Sequence, residues 1–169
     1  MYKRYKDDIN MVLKIDREKN TTDEIMERMK EIADGIDECL SVKTDVTDNY
    51  EDGRLPILDL KVWIGRDEKN ENKILHTHYM KDVSSKKVIP KKSAHGERVK
   101  KNVIVNDLCR VMRNCSDRMG KNSEEKRKNV EMYLGRMQFS GYDKKDKYET
   151  VTKAMKIHEE EVKTKTNYM

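Results

Sequence analysis

Apolar and polar positions along the chain change period several times, and the order of those changes predicts a mixed architecture. Met1–Tyr5 and Ile9–Ile15 read as two short strands, with Lys6-Asp7-Asp8 at the bend between them, a β-hairpin with acids at its tip. Asp23–Glu38 then places Ile25, Met29, Ile32 and Ile36 on one stripe of a helix, with Thr22 or Asp23 as its cap. Leu40, Val42, Thr44 and Val46 restore the alternation of a half-covered strand. Leu55–Ile64 is strongly apolar and Lys73–Met80 follows a polar turn, so this region reads as a second hairpin, with Pro56 near the start of its first strand.

From Lys81 the periodicity stops in a Lys- and Ser-rich connector containing Pro90, and a boundary is expected near residue 82. Glu97–Asn114, with Val99, Val103, Leu108, Val111 and Met112, predicts a helix. Ser123–Gln138 predicts another, capped by Ser123 and burying Val130, Leu134 and Met137. Residues 143–163 are charged and weakly helical without a clear core stripe, which predicts a frayed or disordered tail. The expectation is an α+β chain: two hairpins, one packed helix and one further strand over residues 1–82, a basic helical region over 83–138, and a charged tail over 139–169.

Composition sharpens this picture. Only 35% of the 169 residues are hydrophobic while 41% are charged, so much of the chain is solvated surface or orders against a partner. The net charge of +5 conceals a polarity. Residues 1–80 carry 14 Lys and Arg against 19 Asp and Glu, whereas residues 81–136 carry 16 against 7. A basic block of that kind attracts phosphate backbones through counterion release, although a solvated basic face has the same composition. Cys39, Cys109 and Cys115 show no CxxC spacing, and the four histidines form no zinc pattern, which reads as reduced intracellular thiols. No apolar run reaches the roughly 20 residues of a membrane span, and charges rather than a signal-like stretch follow Met1. A nuclear or cytoplasmic protein is expected, neither secreted nor in a membrane.

The candidate chemistry lies in the first hairpin. Adjacent carboxylates such as Asp7 and Asp8 repel unless neutralised, and a hard divalent cation on triphosphate oxygens neutralises such a pair. From the residues alone, a solvated turn also accommodates them. Lys6, a cation beside the pair, satisfies part of its charge. His76 and His78 share a strand without a third ligand. Trp63 suits sheet packing, Cys115 suits a small buried position, and Asp59, between apolar neighbours, points outward.

Arg4-Tyr5-Lys6-Asp7-Asp8-Ile9 resembles the Arg-Tyr-x-Asp-Asp-Ile signature of reverse transcriptases. Leu55-Pro56-Ile57-Leu58-Asp59-Leu60-Lys61-Val62 is similar to the Leu-Pro-Phe-Leu-Asp-Leu-x-Val stretch that follows the catalytic hairpin in Penelope-like and related animal retroelements. His76-Thr77-His78-Tyr79-Met80-Lys81, Ser93-Ala94-His95 and Arg110-Val111-Met112-Arg113-Asn114-Cys115-Ser116 resemble later landmarks of the same family, so the likeness covers about residues 2–118. Asp82 and Gly96 stand where the family pattern has prolines.

The resemblance implies the end of a polymerase palm followed by a thumb-like or helix-turn-helix region, and RNA-directed DNA polymerisation at family level. It implies Asp7 and Asp8 as catalytic ligands of Mg²⁺ or Mn²⁺, with RNA template, DNA primer and deoxynucleotide as partners. Lys86, Lys87, Lys91, Lys92, Arg98, Lys100, Lys101, Arg110 and Arg113 become the expected phosphate contacts. Such enzymes use a further upstream aspartate and fingers residues, and Met1 stands six residues before Asp7, so the isolated chain is expected to be inactive. Two alternatives remain open: a non-catalytic nucleic-acid-binding module, and a decayed retroelement relic whose exposed sheet edge invites aggregation.

Overall fold

The computed structural model describes residues 2–5, 8–13, 18–36, 43–66, 71–81, 85–116 and 124–166. The chain is α+β and forms two compact units, Met1–Val46 and Thr47–Met169.

In the first unit, β1 (Tyr2–Tyr5) and β2 (Asp8–Met11) pair antiparallel, with Tyr2 opposite Met11 and Tyr5 opposite Asp8. The second strand is shorter than expected, since Val12 and Leu13 are already outside it. Helix α1 (Thr22–Asp34) follows. Its cap is Thr21 rather than Thr22 or Asp23. Thr21 Oγ1 accepts from the Glu24 amide at 3.2 Å, and Glu24 Oε2 accepts from the Thr21 amide at 2.8 Å, a reciprocal capping box. These bonds hold the Glu24 carboxyl below its ordinary value. Ile25 and Met29 are half-buried, Ile32 is 62% exposed, and no residue of α1 is fully buried. The expected strand Leu40–Val46 lies partly outside the described residues, and its described part, 43–46, is not a strand.

The second unit opens with a short 3₁₀ turn (Thr47–Asn49) and a three-stranded antiparallel meander of β3 (Leu55–Ile57), β4 (Leu60–Arg66) and β5 (Asn72–His78). The single strand expected over Leu55–Ile64 is therefore broken in two. Ile57 pairs with Leu60, so Leu58 and Asp59 form a two-residue hairpin turn, with Leu58 at φ 56°. Positive φ at the first of two turn positions is the type II′ pattern, where glycine is usual. Nothing in the local sequence advertises a turn there. Pro56, which lacks a ladder donor, sits on edge strand β3, where it is tolerated.

Three helices complete the unit: α2 (Glu97–Arg113), α3 (Glu124–Phe139) and α4 (Lys144–Thr166). Their core joins Ile104, Leu108, Cys109, Val111 and Met112 of α2 to Tyr133 and Met137 of α3 and Ala154 of α4. Val99 and Val103, expected inside, are 51% and 47% exposed; Ile104 and Val105 turn inward instead. On α3 the fully buried line is Asn129, Tyr133 and Met137, with Val130 and Leu134 flanking it; Ser123 lies outside the described residues. The Tyr133 hydroxyl donates to the Ile104 carbonyl at 3.1 Å, and burial pushes its pKa above the ordinary phenol range.

The charged tail is the longest helix, not a frayed end. Ala154 is fully buried, and Cys109 Sγ contacts its carbonyl at 3.6 Å. Asp143 and Asp146 cap the start of α4 reciprocally, at 3.0 and 3.1 Å. The change in composition near residue 82 also falls inside this second unit. Asn129 of α3 donates to Thr77 Oγ1 of β5 at 2.9 Å and to Cys115 Sγ at 3.2 Å, tying the sheet to the helices. Among the described residues no helix is long and apolar enough to cross a membrane.

Candidate functional site

Asp8 opens β2 opposite Tyr5, the last pair before the chain reverses; Asp7 and Lys6 lie outside the described residues. Among the described residues no group of three or more His, Cys, Asp or Glu side chains could hold a metal ion.

The nine cations expected to meet phosphate divide into two sets. Five are engaged within the fold. Lys91 Nζ bridges Asp146 at 2.5 Å and Asp143 at 3.0 Å, which holds the Lys91 ammonium well above its ordinary pKa; the Asp146 amide first, and Lys91 second, pull the Asp143 carboxyl down to about 2. Lys100 is 4% exposed and donates to the Lys91 carbonyl at 2.6 Å and to Glu97 at 2.5 Å, so it fastens the connector to α2 rather than facing solvent. Lys101 pairs with Glu149 at 3.5 Å and Arg113 with Glu161 at 2.9 Å, both bridging α2 to α4. Arg110 lies 3.1 Å from Asp107 and 3.6 Å from Asp59. The other four, Lys86, Lys87, Lys92 and Arg98, are exposed and make no ion pair to a described residue.

Arg98 stands in the first turn of α2, and the connector presenting the three lysines is anchored. Ser140 accepts from the Val88 amide at 2.9 Å and its carbonyl accepts from the Lys91 amide at 2.9 Å, while the Tyr142 hydroxyl donates to the Ile89 carbonyl at 3.0 Å. Val88 and Ile89 pack on the helical core. Its lysines are thus held on a fixed backbone.

A second cluster gathers residues that are distant in sequence. Asn114, the C-cap of α2, donates to Asp59 Oδ2 at 2.9 Å and to His78 Nδ1 at 3.2 Å. A carboxylate on one side fixes the amide nitrogen as the group facing both, so His78 Nδ1 accepts and its proton sits on Nε2. Burial holds the His78 pKa below its ordinary value, against the opposing pull of Asp59, leaving the ring neutral. Ser116 Oγ accepts from the His76 amide at 2.7 Å, the Ser116 amide donates to the His76 carbonyl at 2.8 Å, and Cys115 Sγ sits 3.8 Å from Thr77 Oγ1. Asp59 is therefore a bonded bridge rather than an outward-pointing acid. Trp63, expected to pack in the sheet, stands half-buried in β4 with the Arg54 guanidinium 4.3 Å from its ring centre, and Cys115 is a small buried group, as its residue type suggested.

Sequence reasoning did not single out Arg136. It reaches the same neighbourhood from α3, and its only sequence signal is a position one residue before the buried Met137. No family model, curated protein or solved structure matches the chain.

Proposed function

We propose that the chain is a segment of a retroelement reverse transcriptase: the end of the palm together with a basic helical region that holds template and primer. One observation carries the reading. Three of the four stretches that resemble the family after the acidic hairpin, 55–62, 76–81 and 110–116, are far apart in sequence yet meet through Asp59, His76, Thr77, His78, Asn114, Cys115 and Ser116, while Ser93-Ala94-His95 stands apart from that junction. Landmarks belonging to one ancestral domain are expected to share such a junction. The antiparallel pairing of β1 with β2 around the Tyr-x-Asp-Asp sequence also supports it.

On this reading a primer 3′-hydroxyl attacks the α-phosphate of a deoxynucleotide. Asp7 and Asp8 offer oxygen donors, the class Mg²⁺ and Mn²⁺ take, and such ions stabilise charge on the attacking and leaving oxygens. On this reading Asp7 and Asp8 contribute two donors to the metal site, and the basic helical region holds the nucleic acid. Lys86, Lys87, Lys92 and Arg98, whose side chains pair with no carboxylate among the described residues, position the backbone; an intracellular location follows from the substrate.

The test is anisotropy titration of the full chain with a labelled DNA primer on an RNA template across a salt series. Affinity should fall steeply with salt, and the Lys86→Gln, Lys92→Gln, Arg98→Gln triple variant should flatten the log–log slope by about one per cation removed. Arg113→Gln should change it less, since Glu161 already neutralises that residue. Absence of low-salt binding, or a triple variant indistinguishable from the parent, overturns the reading.

A further inference from the structure

A cleft of about 260 Å³ opens beside the Asp59 cluster, lined by Leu58, Asp59, His78, Tyr79, Met80, Lys81, Ser85, Arg110 and Arg136. Its floor comes from the β3–β4 turn and the end of β5, and its walls from α2 and α3. Among the described residues that line it, three cations meet one carboxylate, a formal excess of two positive charges.

Those cations are unequally satisfied. Arg110 shares its charge with Asp107 and Asp59. Arg136 has no carboxylate partner among the described residues. One terminal nitrogen donates to the Lys87 carbonyl at 3.2 Å, the plane lies 5.6 Å from the Tyr133 ring, and Nε is sealed from solvent without an acceptor. A guanidinium half-withdrawn from water with an unmet donor is costly unless an anion completes it. Lys81 also lacks a described carboxylate partner. Leu58 adds an independent sign: a half-exposed, bulky residue held at φ 56° on the rim, a costly conformation of the sort that collects at binding sites.

We propose that this cleft is a phosphate-binding site, taking a phosphomonoester such as a 5′-nucleotide. Arg136 and Arg110 fork the phosphate oxygens, Lys81 adds a third charge, and His78 offers an Nε2 proton. Two guanidiniums suit a multi-oxygen anion better than a single-point acceptor. Leu58, Tyr79 and Met80 give the rim apolar surface for the ester group. The site is independent of Asp7 and Asp8 and survives if the polymerase reading fails.

Isotope-labelled full chain, titrated with inorganic phosphate, with a deoxynucleoside 5′-monophosphate and with chloride as control, tests it through the Arg136 Nε and His78 ring resonances. Phosphate and the nucleotide should each give saturable shifts at both groups, and chloride none. Tighter nucleotide binding assigns the rim to the ester; equal affinity assigns recognition to the phosphate alone, and both support the site. Arg136→Gln should weaken binding at least about tenfold. Lys81→Gln, on an exposed side chain whose loss leaves the fold intact, should weaken it several-fold, and Lys153→Gln on α4 should not change it. Non-saturating shifts, equal shifts with chloride, or full affinity in Lys81→Gln and Arg136→Gln together overturn the proposal.

Discussion

Asn129 is the most informative single position in the second unit, because its amide joins α3 to β5 and to the end of α2. Asn129→Ala deletes the 2.9 Å bond to Thr77 Oγ1 and the 3.2 Å contact to Cys115 Sγ. The first is worth about 1 kcal/mol net and the second, to a weak sulfur acceptor, roughly half that. Asn129 is buried, so the vacated volume adds a further contribution of about 0.5–1 kcal/mol, for a total near 2 kcal/mol. In a unit of this size that lowers Tm by about 6–10 °C. Urea unfolding should be followed by two probes: fluorescence of Trp63, the sole tryptophan, which sits in β4, and far-ultraviolet dichroism, to which α2, α3 and α4 contribute most. If sheet and helices are one cooperative structure, both transitions shift together. A Trp63 transition that moves alone, or a loss below about 0.5 kcal/mol, refutes the coupling.

Other consequences follow from single residues. Leu58→Gly relieves a positive φ worth about 1–2 kcal/mol and adds about 0.5–1 kcal/mol of chain entropy, so stability should hold or rise slightly; a loss above about 1 kcal/mol would show that the turn is unstrained. The depressed pKa of His78 means that the unfolded chain takes up a proton near pH 6.5 while the folded chain resists it. Stability is therefore complete above that value and declines as pH falls through it toward the folded pKa. His78→Gln should flatten this part of a urea-midpoint profile, and an unchanged profile would remove the assignment. The depressed Asp143 carboxyl works the same way at lower pH: its contribution, present above about 3.8, should fade toward about pH 2, and Asp143→Asn should abolish that segment.

The parts legible from sequence are those in which apolar side chains do the packing. Leu108, Val111 and Met112 suffice to place α2, because hydropathy and burial coincide there; in β5 they do not, since Ile74 is exposed while Thr77 and His78 are buried. The tail escapes such reading since the inward line of α4 holds Thr150 and Ala154, small or polar residues that let helices approach closely without an apolar stripe. Asn129 hides the face of α3 in the same way. The break between β3 and β4 is invisible because Leu58 occupies a position where glycine would have announced a turn. Among the residues proposed to meet phosphate, the lysines of the connector are readable as a charge cluster. Pairing of Lys91, Lys101 and Arg113 with acids 48 to 55 residues away is a tertiary property that no local pattern encodes.

The acidic hairpin is tested most directly by manganese uptake. Mn²⁺ titrated into the full chain should lose its free-ion paramagnetic signal in a saturable manner, and Asp7→Asn with Asp8→Asn should abolish that uptake while Glu159→Gln leaves it intact. Uptake that persists undiminished in the paired asparagine variant, or that never occurs in the parent, contradicts a cation grip at the hairpin tip and with it the polymerase reading.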